Sequence, residues 1–314
     1  MPEELCDYLD LMNLSTLLGD SLDDDDLLPG AVQFMLGDSV AFEKAFAKRL
    51  LEELEQLGTK FEQVGVRPIL LKGPALWGDA YPIYHERKVC DIDLIAETPT
   101  EALQICRVLG ANGYQHAGVV SGISMNDGTQ YELPMFPKPI LMECERDVGA
   151  SVDRFIRRGA VAGNVRKLEV GQYEIMMDAD VHTAIWAGRH PELRGTDFSP
   201  WGIQAPYRVM TRATTLPYLC TKLWIDVCLG TRKCLKLLAD IVRVLERASQ
   251  REVVESIRTA ERWNVMTSYL QALGWVVPLA PELELAGVVP GPVDAVSRIV
   301  DCAIERMTSA SMPG

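Results

Sequence analysis

Apolar residues recur at intervals of three and four along residues 31–64, and Glu and Lys fill most positions between them. The apolar positions of this stretch include Phe42, Phe46, Leu50, Leu51, Leu54 and Leu57. This amphipathic pattern predicts one long helix or two shorter ones. From about residue 205 the same periodicity returns with few strand signals, which predicts a helical C-terminal region. Its predicted helices cover 216–229, 234–247, 251–273 and 292–307.

Between the two helical regions, the pattern changes to short apolar runs bounded by glycine and proline. The run at 66–71 has the composition of a buried strand and stops at Lys72-Gly73-Pro74. Glycine followed by proline is typical of a helix start, with Gly73 at the N-cap and Pro74 in the first turn. We therefore expect a helix to begin here.

A second strand pattern covers 90–96 and ends at the tetrapeptide 98–101. Its sequence, TPTE, is a capping box with proline in the first turn, and it predicts a helix to about residue 111. Further extended stretches are predicted after residue 113, at 139–144 and at 166–182, with a turn at Gly171.

The order of these patterns predicts an α/β (α+β) protein in which a mixed sheet is flanked by helices. We divide the chain into an N-terminal helical segment at 1–65, an α/β domain at 66–205 and a C-terminal helical domain at 206–314. A chain of 314 residues is long enough for two domains of ordinary size.

Composition and charge narrow the classes of function. Hydrophobic residues make up 48% of the chain and charged residues 24%, which is a globular composition. The formal net charge of −13 disfavours a surface that binds nucleic-acid phosphates, so we do not expect DNA or RNA as a partner. The eight cysteines form no CxxC pair. No apolar run approaches the length needed to span a membrane. The acidic N-terminus lacks the features of a signal peptide. We expect a cytoplasmic protein with reduced thiols and no membrane partner.

Two aspartates in the second strand are the first candidates for chemistry. Because side chains alternate faces along a strand, Asp91 and Asp93 share one face while Ile92 and Leu94 point into the core. Two like charges about 7 Å apart on a half-buried strand are costly unless a positive group lies near both. A hard divalent cation would satisfy both carboxylates, and a pair of exposed edge aspartates is the alternative interpretation.

The turn before this strand adds a candidate phosphate site. Lys72 and Gly73 lie at the end of the first strand, where the predicted helix begins. Backbone N–H groups at a helix N-terminus, beside a residue without a side chain, favour phosphate oxygens. The two strands together therefore predict a site for phosphate and metal.

A later strand offers a further carboxylate. In the run 174–182, alternation puts Glu174, Asp178, Asp180 and His182 on one face, and the intervening apolar residues on the buried face. Periodicity alone leaves both Asp178 and Asp180 open as the third acidic group.

Taken in order, these segments resemble the nucleotidyltransferase superfamily with the polymerase-beta-like fold. That pattern is a glycine turn, two acidic residues separated by one apolar residue in the next strand, and a third carboxylate in a later strand. More narrowly, residues 40–247 resemble an uncharacterised nucleotidyltransferase family with the motifs LKGxAL, YPx4R, DIDLL and DLHW. The matching positions are Leu71-Lys72-Gly73-Pro74-Ala75-Leu76, Tyr81-Pro82 with Arg87, Asp91-Ile92-Asp93-Leu94-Ile95, and Asp180-Val181-His182 with Trp186.

The resemblance implies a nucleotidyltransferase that depends on Mg²⁺ or Mn²⁺. Such an enzyme moves a nucleoside monophosphate from a nucleoside triphosphate, such as ATP, to a hydroxyl of a small molecule or a protein, and releases pyrophosphate. The resemblance implies Asp91, Asp93 and Asp180 as catalytic metal ligands, because Asp180 matches the aspartate of DLHW. A catalytically silent module on the same fold, binding a nucleotide or a partner, is the alternative.

The expected nucleotide-binding residues are Lys72, Gly73, Arg87, His182, Lys222 and Asp240. Arg87 binds the β- or γ-phosphate, or pairs with a nearby carboxylate. Lys72 is a point charge for phosphate, or a solvated lysine at a strand end. His182 orients one of three groups: the acceptor, a phosphate or a metal-bound carboxylate. The alternative is a histidine that is hydrogen-bonded but contacts no ligand. Lys222 and Asp240 lie in helices expected to cover the nucleotide, or they form surface ion pairs.

Overall fold

The computed structural model describes residues 30–276, apart from 90, 118, 124–129, 158–164, 186–191, 204–205 and 230–233. The predicted helix at 292–307 and Trp186 lie outside the described residues. The chain divides into two compact units, Met1–Thr211 and Arg212–Gly314.

The described part of the first unit contains three α-helices and eight strands. The helices are α1 (Gly30–Gln63), α2 (Pro99–Ala111) and α3 (Arg146–Arg157). The strands are β1 (Ile69–Leu71), β2 (Asp91–Ile95), β3 (Val119–Ile123), β4 (Gln130–Glu143), β5 (Val165–Glu169), β6 (Gln172–His182), β7 (Phe198–Pro200) and β8 (Arg208–Met210). Short 3₁₀ turns lie at Gly73–Leu76, Tyr84–Glu86 and Gly195–Asp197.

The eight strands form one mixed sheet, which confirms the predicted fold class. The strand order is β3-β4-β6-β2-β1-β8-β7, and β5 pairs with β6. Two pairs are parallel, β2 with β6 and β1 with β8, while the other pairs are antiparallel. The parallel pair β2 and β6 lies near the middle of the sheet and carries the candidate acidic residues.

The two faces of the sheet differ in polarity, as alternation along β6 predicts. The buried hydrophobic side chains of β6 are Tyr173, Ile175, Met177, Ala179 and Val181. Lys138 of β4 points from this face to Glu53 of α1, and the Tyr173 hydroxyl donates to a carbonyl of α3 at Gly149. Helices therefore cover this face, and the acidic side chains of β6 lie on the opposite one.

Helix α1 is a single helix of 34 residues. Its apolar stripe is buried as predicted, but three acidic side chains outside the stripe are buried as well. Asp38 pairs with Arg154 of α3, Glu43 with Lys88, and Glu53 with both Arg49 and Lys138. These three carboxylates are buried because elements distant in sequence pack against the helix outside its apolar stripe and supply Arg154, Lys88 and Lys138.

Two predicted boundaries are confirmed by the local geometry of the chain. The Thr98 side chain accepts a hydrogen bond from the Glu101 backbone N–H at the start of α2. Gly171 has a φ of +77° in the turn between β5 and β6, where a Cβ would lie 2.7 Å from the Cys144 carbonyl oxygen. Only glycine fits this turn without displacing the backbone of Cys144.

The described part of the second unit is helical, as predicted. It contains α4 (Arg212–Cys228), α5 (Cys234–Arg247), α6 (Gln250–Arg262) and α7 (Met266–Val276). The single helix predicted for 251–273 is wrong, since the chain breaks between α6 and α7. Asn264 adopts a φ of +54° there, a conformation that asparagine tolerates better than most side chains and that ends α6.

Over the described residues, every helix is either too short or too polar to span a bilayer. The described cysteines, Cys106, Cys144, Cys220, Cys228 and Cys234, are all free thiols.

Candidate active site

The register of β2 against β6 brings four aspartates together on one face of the sheet. In these parallel strands Asp91 lies opposite Asp178, and Asp93 lies opposite Asp180. Neighbouring strands are about 4.8 Å apart, so each opposed pair of carboxylates is in close electrostatic contact. Ile92 and Leu94 are buried on the other face, as the alternation predicts.

Asp93 is the most deeply buried of these four aspartates, with 1% of the residue exposed. Lys72 Nζ donates to Asp93 Oδ1 at 2.8 Å, and His182 Nε2 donates to the same oxygen at 2.9 Å. Burial by itself raises the pKa of Asp93, but Lys72 and His182 outweigh burial and hold the pKa of this carboxyl well below its usual range. Asp93 is therefore ionised throughout the physiological pH range.

One oxygen atom of Asp93 and one of Asp180 lack hydrogen-bond partners among the described residues. These atoms, Asp93 Oδ2 and Asp180 Oδ1, are both buried. Burial, followed by the charges of Asp93 and Asp91, raises the pKa of Asp180 to about 6. A buried carboxylate oxygen without a donor is costly, so a ligand that supplies positive charge would stabilise this arrangement.

The donor set fits a divalent cation. Asp93, Asp180 and His182 each offer a ligand atom, and these atoms lie within 4.8 Å of one another. Two unpartnered carboxylate oxygens are hard ligands of the kind that Mg²⁺ and Mn²⁺ prefer. Asp91 is outside this group, although it lies on the same face of β2 two residues away.

Lys72 occupies a strained backbone position at the end of β1. Its φ is +52° and its ψ is −133°, a combination that residues with a side chain rarely adopt. Such a conformation costs about 1–3 kcal/mol and persists only where the surrounding structure enforces it. The antiparallel register that places Leu71 opposite Asp93 brings the next residue, Lys72, within reach of the Asp93 carboxylate.

The helix predicted after Lys72 is a single 3₁₀ turn of four residues, Gly73–Leu76, and its N-cap is Lys72 rather than Gly73. Gly73 is buried, and a Cβ there would lie 2.9 Å from Val89 Cγ2. The expectation of a full helix N-terminus was wrong because the chain turns back at Trp77 toward Tyr81, where the two residues form an isolated β-bridge.

Arg87 is buried, with 5% of the residue exposed, at the end of the loop that follows this turn. Arg87 Nη1 donates to the Lys88 carbonyl at 2.6 Å, and the Arg87 carbonyl accepts a bond from Trp77 Nε1 at 3.5 Å. The Trp77 ring in turn stacks on Tyr84. Aromatic packing thus holds the loop that carries Arg87 to the start of β2.

Comparison with known proteins gives one match. The model of an uncharacterised nucleotidyltransferase family matches residues 2–280. The chain belongs to this family. No curated protein and no solved structure matches it.

Two of the site residues expected from the sequence lie in the second unit. Lys222 Nζ donates to Asp226 Oδ1 at 2.6 Å within α4. Asp240 lies in α5 and is fully buried, which contradicts the alternative of a surface ion pair for that residue. Its neighbours Leu237 and Ile241 are buried too, so Asp240 lies on the packed face of its helix rather than on the solvated one.

The ion pair between Lys72 and Asp93 is the feature of the site that sequence reasoning missed. The pattern shows only that a lysine follows a strand and that an aspartate occurs 21 residues later. The contact follows from the antiparallel pairing of β1 with β2, which places Leu71 opposite Asp93 and Lys72 next to it, and the local sequence pattern carries no signal for that pairing. Lys72 thus contacts a candidate metal ligand directly.

Proposed function

We propose that this protein transfers a nucleoside monophosphate from a nucleoside triphosphate to an acceptor hydroxyl and depends on Mg²⁺ or Mn²⁺. The observation that carries the proposal is the opposed pair Asp93 and Asp180, each with a buried oxygen that lacks a partner among the described residues. Membership of a nucleotidyltransferase family gives this acidic pair its chemical context.

Asp93 and Asp180 are the principal metal ligands in this proposal, and Asp91 completes the acidic set from the same face of β2. A bound divalent cation neutralises the charge of the triphosphate and lowers the pKa of an acceptor hydroxyl. His182 holds Asp93 Oδ1 through its hydrogen bond, which leaves Oδ2 as the oxygen available to a ligand.

The transfer reaction balances as a single displacement. The acceptor oxygen forms a bond to the α-phosphorus, the bond from the α-phosphorus to the oxygen bridging to the β-phosphorus breaks, and pyrophosphate leaves with that electron pair. The hydroxyl proton is released to water. Lys72 and Arg87 supply the positive charge that this chemistry needs for a polyphosphate, Arg87 through a planar fork and Lys72 as a point charge.

The other predicted nucleotide contacts have supporting roles in this proposal. Gly73 lets the turn after β1 approach Val89, which fixes the position of Lys72. Lys222 and Asp240 belong to the helical second unit, and their expected contact with the nucleotide stays a prediction. The acceptor is a small molecule or a protein side chain rather than a nucleic acid, since a chain of net charge −13 repels a phosphate backbone.

The test is incubation of the purified protein with Mg²⁺ and each of the four ribonucleoside triphosphates. Mass spectrometry of the small molecules and of the protein itself detects a transferred nucleoside monophosphate, and a coupled assay detects pyrophosphate. We expect Asp93→Asn to reduce pyrophosphate release by at least about 10²-fold, as the loss of one principal electrostatic element does in other enzymes.

Asp79→Asn is the control for the loss of one aspartate charge, because Asp79 lies in a turn that precedes β2 and outside the acidic face of β2 and β6. Full activity of Asp93→Asn would contradict the site. Triphosphate binding without any pyrophosphate release, in the presence of cell metabolites and protein extract, would favour the silent module.

A further inference from the structure

Lys72 places a cation directly beside the candidate metal site. Its Nζ atom lies 2.8 Å from Asp93 Oδ1, and its side chain is 29% exposed, whereas that of Asp93 is only 1% exposed. The carboxylate is therefore fixed in the protein interior, while the ammonium group reaches it from a position open to solvent. An ion pair of this kind separates by movement of the lysine, since its ammonium is carried on a flexible stem of four carbon atoms.

The backbone of Lys72 provides an independent sign that this side chain is needed. Among the described residues, only Lys72 and Asn264 combine a positive φ with a side chain. Asparagine tolerates that region, but a lysine gains nothing locally from it, and glycine would relieve the strain. A strained position of this type at a site points to a role for the side chain rather than for the fold.

A divalent cation on Asp93 and Asp180 would experience repulsion from an ammonium that contacts Asp93. Like charges a few ångströms apart interact strongly at a partly buried site. His182 also donates to Asp93 Oδ1, so the imidazole and the ammonium share one oxygen. The hydrogen bond from His182 can retain Asp93 in place when the lysine leaves.

We propose that Lys72 is a built-in counter-cation that occupies Asp93 in the nucleotide-free protein and moves to the triphosphate when metal and nucleotide bind together. The inference rests on the proposed function, and it adds that the binding of metal and the binding of nucleotide to that site are coupled. Free metal competes with Lys72 for Asp93. A metal-bound polyphosphate does not, because it offers the ammonium a new anionic partner. The site therefore discriminates against metal without nucleotide.

The test compares the binding of Mn²⁺ alone with the binding of its complex with inorganic tripolyphosphate, which serves as a probe of the triphosphate tail. Electron paramagnetic resonance reports free Mn²⁺ directly, and calorimetry gives both dissociation constants. Two variants remove the ammonium in different ways. Lys72→Met keeps an unbranched side chain about as long as the carbon stem of lysine, whereas Lys72→Gly also relieves the backbone strain, so it retains the fold even if Lys72→Met does not.

We expect both variants to bind Mn²⁺ alone at least about tenfold more tightly than the unmodified protein. We expect the same variants to bind the manganese–tripolyphosphate complex more weakly, because the lysine no longer contacts phosphate. The two affinities thus change in opposite directions. Lys60→Met, which removes an exposed lysine from the last turn of α1, is the control for a change in net charge and leaves both affinities unchanged.

An unchanged or weaker affinity of Lys72→Gly for Mn²⁺, with its melting temperature maintained, overturns the inference. The result also separates this inference from the proposed function. If the Lys72 variants gain Mn²⁺ affinity but the unmodified protein transfers no nucleotide, the role of Lys72 as a counter-cation is supported and the proposed function is contradicted. If Mn²⁺ binds to no variant, and Asp93→Asn behaves like the unmodified protein, both fail.

Discussion

Asp93 and Asp180 lie opposite each other in two parallel strands, and their pKa values depart from the ordinary value of aspartate in opposite directions. Lys72 and His182 hold the pKa of Asp93 low despite its burial, while burial and the charges of Asp93 and Asp91 raise the pKa of Asp180 to about 6. Neighbouring acidic groups with separated pKa values are typical of sites that bind metal or move protons. Asp180 is the group whose charge a bound cation would stabilise most.

Asp180 and Asp178 provide a matched pair for a first prediction. Both project from the same face of β6, but only Asp180 lies opposite Asp93 and within the group of candidate ligand atoms. We expect Asp180→Asn to abolish nucleotide transfer, because it removes a metal ligand, while the affinity for Mg²⁺-triphosphate falls by no more than several-fold. Single-turnover kinetics and calorimetry measure the two effects separately.

We expect the control variant Asp178→Asn to keep most of its activity, since Asp178 lies opposite Asp91 in the strand register and outside the group of candidate ligand atoms. The reverse ranking of the two variants would mean that Asp178 is the third carboxylate, displaced by one side-chain repeat along β6.

The raised pKa of Asp180 predicts a pH-dependent stability of the metal-free protein. A carboxyl group with a raised pKa in the folded state contributes its stability in full below the pKa of the unfolded chain, near 4, and loses it as the pH rises through about 6. Asp180→Asn carries no such group. We therefore expect the variant to melt about 2–4 °C above the unmodified protein at pH 8 in EDTA, which corresponds to about 1 kcal/mol at this size.

At pH 4 the two proteins should melt at the same temperature, because Asp180 is then protonated. Asp93 does not disturb the comparison, since its lowered pKa keeps it ionised across this range. Saturating Mg²⁺ at pH 8 should stabilise the unmodified protein but not Asp180→Asn. If the melting temperature of the variant exceeds that of the unmodified protein by the same amount at pH 4 and at pH 8, the ionisation of Asp180 does not destabilise the fold.

The parts of the fold and site that depend on local periodicity could be predicted from the sequence. Alternation along a strand placed Asp91 with Asp93 and Asp178 with Asp180, and the capping residues Thr98 and Glu101 fixed the start of α2. These features need only the period of a strand or the geometry of one helical turn.

The parts that depend on which elements become neighbours could not be predicted. Glu53 is buried because Lys138, 85 residues away, pairs with it. Lys72 contacts Asp93 because β1 and β2 are antiparallel with Leu71 opposite Asp93. The local sequence pattern determines neither which strands pair nor their register. A lysine at the end of a strand is therefore compatible with a solvated position as long as its neighbour in the sheet is unknown.

Arg87 gives a third prediction, which concerns the polyphosphate tail. A guanidinium binds two phosphate oxygens through a planar fork, and an ammonium cannot reproduce that geometry. We expect Arg87→Lys to weaken triphosphate binding about tenfold, or about 1.4 kcal/mol, and monophosphate binding of the same base much less. Calorimetric titration with both nucleotides measures the difference.

Arg107→Lys, at an exposed position of α2, is the control for the exchange of arginine by lysine. Equal weakening of the two nucleotides by Arg87→Lys would assign Arg87 to the support of its loop, where it already donates to the Lys88 carbonyl.

Gly73 gives the fourth prediction, because its lack of a side chain has two competing explanations. A Cβ at this position would lie 2.9 Å from Val89 Cγ2 and 3.0 Å from Val89 Cγ1, and a β-branched side chain cannot rotate freely to make room. We expect Gly73→Ala to destabilise the protein by about 1–3 kcal/mol, as overpacking of a buried site does. Gly110→Ala should stabilise it by about 0.5–1 kcal/mol, since no atom outside its own helix lies within 4 Å of the added methyl group. Urea unfolding measures both changes.

The double variant Gly73→Ala with Val89→Ala separates packing from phosphate contact. Shortening Val89 removes the two methyl groups that the new Cβ would meet, so the double variant should be more stable than the sum of the two single changes predicts. If Gly73 serves the turn only by packing, the binding of tripolyphosphate returns together with stability. If stability returns while tripolyphosphate binding stays weak, the backbone at Gly73 approaches phosphate directly, and the glycine is then required by the ligand as well as by Val89.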